Sequence, residues 1–346
     1  MLKQFGGRLT TELKNQYAQS NHWLNGRFQN LEETSMNIDW RTLPVILYKQ
    51  FFKTKGRVPK QPLPIPPFNR EMFFAEPSKA QMVWYGHSAI LMRIMGKTIL
   101  IDPMLGADAS PIAPFKTKRF SPDTLKLVDD FPTIDLMLLS HDHYDHLDLA
   151  TLQKLKPKIR QYYVALGCAR HLKHWGISES NIKEFDWWQH SVFEGIEITF
   201  TPSRHFSGRG LTDRSQSLWG GWAIKTPHEN IYFSGDGGYG KHFKQVGDRL
   251  GPFDFGFMEC GQYNENWHQI HMFPQEAVLA AKEAKVSKAM PVHWGAFALA
   301  QHSWTEPAEQ FVAVGRKDNL MVTAPPPGQI FGVTDTHDDA WWADHV

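Results

Sequence analysis

The chain has 346 residues, of which 42% are hydrophobic and 21% are charged, and its formal net charge is +1. These values are typical of a globular protein and exclude a disordered chain, a collagen-like repeat and a coiled coil. A net charge this close to zero provides no general basic field, so the sequence predicts no nucleic-acid partner.

The cysteine content and the first residues predict the compartment. The two cysteines, Cys168 and Cys260, do not form a C-x-x-C pair, which favours a reducing compartment. The start MLKQFGGRLTTELKNQ lacks the apolar core of a secretory signal, and no apolar run reaches the roughly 20 residues needed to cross a bilayer. We therefore expect a cytoplasmic protein.

Residues 1–80 are expected to form an N-terminal extension. The stretch IDWRTLPVILYKQFFKTKGR (38–57) joins an apolar cluster to four basic residues. It is compatible either with packing on the domain or with an amphipathic segment that lies peripherally on the inner face of the membrane. The proline-dense stretch RVPKQPLPIPPFNR (57–70) predicts an extended, non-helical strap.

Between residues 81 and 335, short apolar runs alternate with helix-like stretches, which predicts one α/β domain followed by a tail at 336–346. FPQEAVLAAKEAK predicts an amphipathic helix with proline near its start. We expect layered sheets inside and helices outside. The predicted strands are MVWYG, AILMRIM, TILID, DLMLLS, YYVAL, IEITFTPS, GWAIKT, NIYFSG, FDFGFM and AMPVHWG.

The stretch LSHDHYDHLD (139–148) concentrates histidine and aspartate directly after the apolar run IDLMLL. His141 and His143 are two residues apart and share one side of an extended segment, whereas a helix would splay them by about 200°. Imidazole and carboxylate are ligands that zinc accepts. With Asp145 and His146, the stretch predicts half of a two-metal site on a loop that leaves a strand; a solvated polar loop is the alternative.

Three downstream residues stand in the same context, each just past an apolar strand. They are His205 after IEITFTPSR, Asp236 after NIYFSG and His293 after AMPV. Taken singly, each histidine is compatible with a structural role, and SGDGGYG around Asp236 is typical of a turn. Their shared position predicts that converging strand ends gather them around the 141–146 cluster.

Together these residues resemble the signature of the metallo-β-lactamase superfamily, H-x-H-x-D-H followed by a later His, Asp and His. Within it, residues 83–300 are similar to the N-acylphosphatidylethanolamine-hydrolysing phospholipase D group. The stretches that carry this similarity are WYGHSAILM, ILIDPML, SHDHYDHLD, DWWQ, TPSRH, LWGGWAI, FSGDGGYG, GPFD, HMFPQEAV and HWGAFALA.

The resemblance implies a four-layer αββα sandwich of two mixed β-sheets with outer helices, and two Zn²⁺ ions per chain. Three histidines would bind the first ion, an aspartate and two histidines would bind the second, and another aspartate would bridge them. The matching residues are His141, His143 and His205; Asp145, His146 and His293; and Asp236.

The resemblance also implies catalytic roles for Asp145, Asp236 and His271. His271 matches a position beside the substrate phosphate, although a histidine at a helix N-terminus is an alternative reading. His87 and Asp102 match positions near the site, where they would support the ligands or contact substrate, and neither is expected to be catalytic.

The implied activity is that of a phosphodiesterase of phospholipase D type acting on N-acyl phosphatidylethanolamine-like phospholipids. A hydroxide held between the two metals would attack phosphorus and release phosphatidic acid and an N-acylethanolamine. Asp236 would orient the hydroxide, and His271 would bind or protonate a phosphate oxygen. A lactonase or another carboxylic ester hydrolase using the same site is the main alternative.

Other functions are disfavoured. A diiron oxidoreductase usually replaces the second histidine with an acid and carries a flavin domain, whereas His143 is present here. A non-catalytic lipid-binding protein would lose ligands, yet all seven positions are intact. A nuclease would need a clamping domain or a basic stripe. The sequence leaves the substrate headgroup, the metal and a homodimeric state open.

Overall fold

Two seven-stranded mixed β-sheets form the centre of the computed structural model, which describes residues 3–52, 54–76, 78–110, 116–337 and 339–346. The first sheet has the order β16-β3-β4-β5-β6-β7-β8. Its strands are β3 Gln81–Trp84, β4 Ile90–Ile94, β5 Lys97–Ile101, β6 Ile134–Leu139, β7 Ile159–Ala165, β8 Ile182–Phe185 and β16 Ile330–Gly332.

The second sheet has the order β15-β14-β13-β12-β11-β10-β9. Its strands are β9 His190–Phe193, β10 Ile196–Pro202, β11 Gly220–Lys225, β12 Asn230–Phe233, β13 Phe253–Glu259, β14 Val286–Val292 and β15 Met321–Val322. A separate hairpin is formed by β1 Trp23–Leu24 and β2 Arg27–Phe28.

Each sheet is antiparallel on one side and parallel on the other. Strands β5 to β8 run parallel in the first sheet, and β12 to β15 run parallel in the second. Parallel strands that are covered on both faces read as continuous apolar runs. The run IDLMLL in β6 follows this rule, since all of its side chains except Asp135 are buried.

The sheets pack face to face, and helices cover them from outside. Phe185 of β8 lies 5.4 Å from Trp222 of β11, and Phe255 of β13 lies 6.0 Å from Phe331 of β16, measured between ring centroids. Outside the second sheet, α7 contacts β13 and β14, and α8 contacts β14 and β15. The predicted αββα sandwich is therefore confirmed.

The helices are short and connect or flank the strands. They are α1 Thr11–Tyr17, α2 Thr42–Phe52, α3 Arg70–Phe74, α4 Leu149–Leu155, α5 Ala169–His174, α6 His242–Arg249, α7 Pro274–Glu283 and α8 Glu306–Lys317. Within the described ranges, 3₁₀ turns lie at Lys3–Phe5, Thr124–Asp129, Lys156–Lys158, Glu179–Asn181 and Trp341–His345. Among the described residues, no helix is both long enough and apolar enough to cross a membrane.

All ten predicted strands are present, and so is the predicted helix at α7. The sequence missed the edge strands because β8 and β9 mix polar with apolar residues, and β15 and β16 are only two and three residues long. The stretch 57–69 contains no helix, as its prolines predicted. Within the 38–57 stretch, residues 42–52 form α2, and most of its described apolar side chains are exposed, Ile46 being half-buried. Lys53 and the side chain of Phe51 lie outside what the structure describes.

The N-terminal residues contribute to the same apolar core as the sheets. Tyr17, Trp23 and Phe28 are buried together, with ring centroids 4.8 to 5.7 Å apart. Near the C-terminus, Trp342 also belongs to this core. The division at residues 80 and 335 stays a prediction, and residue 338 of the predicted tail is not among those described.

Candidate metal centre

The loop that follows β6 carries the first cluster of site residues, as the sequence predicted. It is fixed at its start by Asp102, which follows β5. The Ser140 amide donates to Asp102 Oδ1 at 2.8 Å, and the Ser140 hydroxyl donates to Asp102 Oδ2 at 2.5 Å. These bonds hold the chain extended where the apolar strand ends, so that His141 and His143 can share one side of the loop.

His141, His143 and His205 form the first group of potential ligands. Nδ1 of His143 lies 2.9 Å from Nε2 of His141 and 3.2 Å from Nε2 of His205. Tetrahedral zinc ligands about 2.0–2.1 Å from the metal are roughly 3.3 Å apart, so three convergent nitrogens at these separations suit one zinc ion.

Asp145, His146 and His293 lie in a second group, to which the structure adds His87. Asp145 Oδ2 is 2.9 Å from His87 Nε2 and 3.8 Å from His146 Nε2. The turns that carry His87 and His293 bond to each other, because the His293 amide donates to the His87 carbonyl at 2.9 Å. His87 is therefore a direct neighbour of the predicted ligands.

Asp236, after β12, touches both groups. Its Oδ2 is 3.0 Å from His146 Nε2 and 3.9 Å from His141 Nε2, while its Oδ1 is 3.2 Å from His293 Nδ1. Oδ1 is buried and has no hydrogen-bond partner among the described residues. A carboxylate with this placement suits the bridging position between two cations.

In three histidines, the ring nitrogen that faces away from the cluster forms a hydrogen bond to another part of the protein. His146 Nδ1 donates to Asp102 Oδ2 at 2.7 Å, and His205 Nδ1 donates to the Ile270 carbonyl at 3.0 Å. Because the Ser140 hydroxyl already donates to Asp102, it accepts from His141 Nδ1 at 2.8 Å. Each ring thus turns Nε2 toward the centre, which is the arrangement usual for metal-binding histidines.

Burial keeps most of these histidines neutral. It lowers the pKa of His143 to about 4 and the pKa values of His141, His205 and His293 well below the ordinary value, with neighbouring histidines adding to the shift at the last three. His146 differs because Asp236 and Asp145 raise its pKa despite its burial. Neutral imidazole is the form that binds a metal.

The two carboxyl groups of the cluster have opposite shifts. Burial opposes ionisation of Asp145, but His146 and His87 hold its pKa well below the usual range. Burial raises the pKa of Asp236 to about 6. Two carboxylates among mostly neutral histidines favour positive charge between them, so the donor set fits a pair of divalent metals.

His271 lies beside this cluster, where it lines a cavity of about 250 Å³. Its ring centroid is 5.0 Å from that of His293 and 5.1 Å from that of His205. His271 Nδ1 is 3.0 Å from Oε1 of Glu259, which is fully buried and also accepts from the Met272 amide. This contact fixes the His271 ring and leaves Nε2 for a group in the cavity.

The remaining polar residues of the 139–148 stretch serve structural roles. Asp142 is buried and accepts from the Ser217 hydroxyl at 2.6 Å and from the Gly208 amide at 2.7 Å. Asp148 caps the N-terminus of α4. Both lie outside the groups of potential ligands found among the described residues.

Sequence reasoning missed three residues of the site. Asn30 Nδ2 donates to the His205 carbonyl at 2.8 Å, and the His205 amide donates to Asn30 Oδ1 at 3.1 Å. Met36 lines the cavity, and Glu259 holds His271. Asn30 and Met36 lie far from the motif in sequence, so no local pattern marks them; Glu259 ends a strand, which was a usable signal.

Comparison with known proteins identifies relatives of this chain. The family described as "Beta-lactamase superfamily domain" matches residues 97–294. An uncharacterized protein of Mycobacterium tuberculosis is 37% identical over 316 residues, 90% of this chain and 84% of that protein. N-acyl-phosphatidylethanolamine-hydrolyzing phospholipase D 1 of Caenorhabditis elegans is 33% identical over 248 residues, 68% of this chain and 69% of that protein.

The fold also matches solved structures. A metallo hydrolase of the archaeon Ignicoccus hospitalis superposes with a TM-score of 0.57 at 20% identity, over 74% of this chain and 98% of that one. At this identity the likeness concerns the fold alone, and it agrees with the two-sheet arrangement described above.

Proposed function

Since the chain belongs to the β-lactamase superfamily, whose members similar to it include metal-dependent hydrolases, we propose that it is a zinc-dependent phosphodiesterase of phospholipase D type. Its substrate class is N-acyl phosphatidylethanolamine-like phospholipid, and its products are phosphatidic acid and an N-acylethanolamine. The observation that carries the proposal is the position of Asp236 between the two groups of potential ligands, beside His141 and His205 of the first and His146 and His293 of the second.

The donor set has room for two Zn²⁺ ions per chain. His141, His143 and His205 would hold one ion, and Asp145, His146 and His293 would hold the other, with Asp236 between them. When bound, the two ions supply an activated water and stabilise the negative charge that develops on the phosphoryl oxygens.

The protein groups around these ions have separate tasks. Asp236 orients the attacking water by accepting a hydrogen bond at its carboxylate. His271 faces the cavity with Nε2 and binds a phosphoryl oxygen or donates a proton to it, while Glu259 positions its ring. Asp145 is held ionised by His146 and His87, which keeps it available as a ligand.

A lipid substrate is consistent with the walls of the cavity. Phe206, Trp267, Ile270 and Leu299 line it together with the polar site residues. Apolar side chains beside a polar reaction centre suit a substrate that carries a phosphodiester next to hydrocarbon. We place the reaction in the cytoplasm, at the inner face of a membrane.

Asp236→Asn tests the proposal. The amide keeps the shape of the side chain but lowers its negative charge and its affinity for two cations, so we expect turnover of N-acyl phosphatidylethanolamine to fall by about 10²-fold or more. Zinc content per chain is measured by elemental analysis, and the two products are measured by mass spectrometry.

Asp123→Asn is the matched control, because its carboxylate is 70% exposed and lies outside the ligand groups. The control is expected to turn over at the wild-type rate. Full turnover by Asp236→Asn would falsify the scheme. Hydrolysis of acyl lactones with little cleavage of the phosphodiester would instead establish the carboxylic ester hydrolase alternative, and iron in place of zinc would favour an oxidoreductase.

A further inference from the structure

Helix α2 and Trp40, which lies two residues before it, expose an unusual amount of apolar surface. Six large side chains between residues 40 and 52 are 43% to 76% exposed. We call them the apolar rim; they are Trp40, Leu43, Val45, Leu47, Tyr48 and Phe52. A group of large, exposed apolar side chains on one segment of a protein surface commonly marks an interaction site.

The polarity of α2 is the reverse of that of an ordinary surface helix. Thr42, Ile46 and Gln50, at i, i+4 and i+8, form the half-buried side that faces the protein, and two of these three are polar. The solvent-facing side carries the apolar rim. A surface helix of a globular protein buries its apolar stripe, so α2 has its apolar side directed toward a partner outside the chain.

Both ends of this segment are fastened to the mouth of the site cavity. Met36 lines the cavity, and the next residue, Asn37, donates its amide to the Asn266 carbonyl at 2.7 Å. At the other end, Gln50 Oε1 accepts from Gln301 Nε2 at 3.0 Å, two residues from the cavity residue Leu299. A surface that covers the apolar rim therefore lies beside the entrance to the site.

Basic residues surround the rim. Arg41, Lys49 and Lys55 lie within or next to it and are exposed. The one carboxylate within this stretch, Asp39, is also exposed and accepts from the Arg41 and Thr42 amides, so the positive charges outnumber it. Cations beside an apolar and aromatic surface are complementary to the anionic headgroups and hydrocarbon of a lipid bilayer.

A second basic feature adjoins the cavity. Arg27 and Arg214 line a neighbouring cavity of about 180 Å³, which shares Met36 and Phe206 with the site cavity. The Arg214 guanidinium lies 3.8 Å from the centre of the Phe206 ring. In the described part of the chain, no carboxylate forms an ion pair with either arginine, so both are available to an anionic headgroup.

We propose that the apolar rim docks on the surface of an anionic lipid bilayer and holds the mouth of the site cavity against it. Trp40 and Tyr48 have the amphipathic rings that are favoured at the boundary between headgroups and hydrocarbon. The proposal rests on the proposed lipid substrate for its biological purpose, but bilayer binding itself is independent of catalysis and can be measured without it.

Flotation with lipid vesicles tests the docking. The full-length wild-type protein is mixed with phosphatidylcholine vesicles that contain or lack phosphatidylglycerol. We expect it to float with the anionic vesicles and to partition more weakly into the neutral ones. In the double variant Leu43→Glu/Leu47→Glu, partitioning into anionic vesicles is expected to fall about tenfold or more, because two charged groups replace the inserted side chains.

Leu279→Glu is the matched control. Leu279 lies in α7 and is 44% exposed, against 45% for Leu47, so the same substitution is made at an equally exposed helical leucine. Its vesicle binding should equal that of the wild type. Circular dichroism checks folding of each variant, and if the double variant misfolds, Trp40→Ala/Phe52→Ala replaces it with the same expectation.

A second readout separates docking from the proposed chemistry. Hydrolysis of a short, soluble phosphodiester should be unchanged in the double variant, while hydrolysis of vesicle lipid should fall with binding. If no form of the protein cleaves phosphodiesters, the proposed function is wrong, and flotation still decides the docking.

Three results would overturn the docking proposal. The wild type could remain unbound with anionic vesicles, or the double variant could bind them as well as Leu279→Glu. Alternatively, the wild type could be a dimer that the double variant converts to monomers without loss of vesicle binding, which would assign the rim to an interface between two copies.

Discussion

At the scale of one residue, burial of the His242 imidazole makes the stability of the folded protein depend on pH. It lies in the first turn of α6, only 2% exposed, and its Nε2 has no hydrogen-bond partner within the described ranges. Burial, helped by the charge of Arg204, lowers the pKa of His242 to about 3 from its ordinary 6.5. Below pH 6.5 the unfolded chain therefore binds a proton at His242, whereas the folded chain leaves this imidazole neutral until the pH approaches about 3.

This difference in proton binding sets the direction in which pH changes the stability of the fold. The folded state loses stability as pH falls below 6.5, and this one residue accounts for about 2 kcal/mol at pH 5. His242→Gln cannot be protonated, so we expect the loss of unfolding free energy between pH 7 and pH 5 to be about 2 kcal/mol smaller in this variant. Urea unfolding at the two pH values measures the difference.

His190→Gln provides the comparison, because His190 is exposed at the start of β9. It should lose as much stability as the wild type between the two pH values. Metal release at low pH affects all three proteins alike and cancels in the comparison. An equal loss in His242→Gln and His190→Gln would show that His242 accepts a proton without unfolding.

At the scale of elements, the segment 30–37 lies against the loop between β10 and β11 of the second sheet and supports the site from outside. Asn30 bonds both backbone groups of His205 and accepts from Trp219 Nε1 at 3.1 Å. Further along, the Arg204 guanidinium donates to the Glu33 carbonyl at 2.6 Å. The segment thereby fixes the loop that presents His205 to the site.

Asn30→Ala removes these bonds and leaves buried backbone groups without partners. We expect the free energy of unfolding to fall by about 1–3 kcal/mol and zinc affinity to weaken, since the His205 loop is no longer held in place. Asn37→Ala, in the same segment, is the control, because Asn37 is exposed and bonds through its backbone. Equal stability and equal zinc titrations for the two variants would contradict this role.

The contacts of this segment show which features of the site could be predicted from the sequence and which could not. Strands such as β6 were predictable because burial on both faces leaves a continuous apolar run, and a polar residue after each strand marked His205, Asp236 and His293. Asn30 was not predictable, since its role depends on a contact 175 residues away in the chain. Whether α2 packs on the domain or faces outward was left open, because composition shows that a segment is apolar, but not which side it buries.

At the scale of the whole molecule, the site joins the two sheets. His141, His143, Asp145 and His146 follow β6 of the first sheet, while the other proposed ligands, His205, Asp236 and His293, follow strands of the second. A metal bound by both sets is a crosslink between sheets that exists only in the folded state, so it stabilises that state by mass action.

Removal of metal by a chelator should therefore lower the melting temperature of the protein, by roughly 5 °C or more. Scanning calorimetry before and after chelation measures the change, and addition of Zn²⁺ should restore the original value. Asp236→Asn, with a weakened bridge, should respond less to the chelator than Asp123→Asn does. An unchanged melting temperature in the metal-depleted wild type would refute the crosslink.

The division of the site between the sheets also has a consequence for the chain during its synthesis. The ribosome releases the histidine-rich loop after β6 about 150 residues before it releases His293, so throughout that interval the chain carries only part of the proposed ligand set. Under the proposed function, catalytic competence then begins late, once the second sheet has closed on the first, and an unfinished chain cannot hydrolyse its substrate.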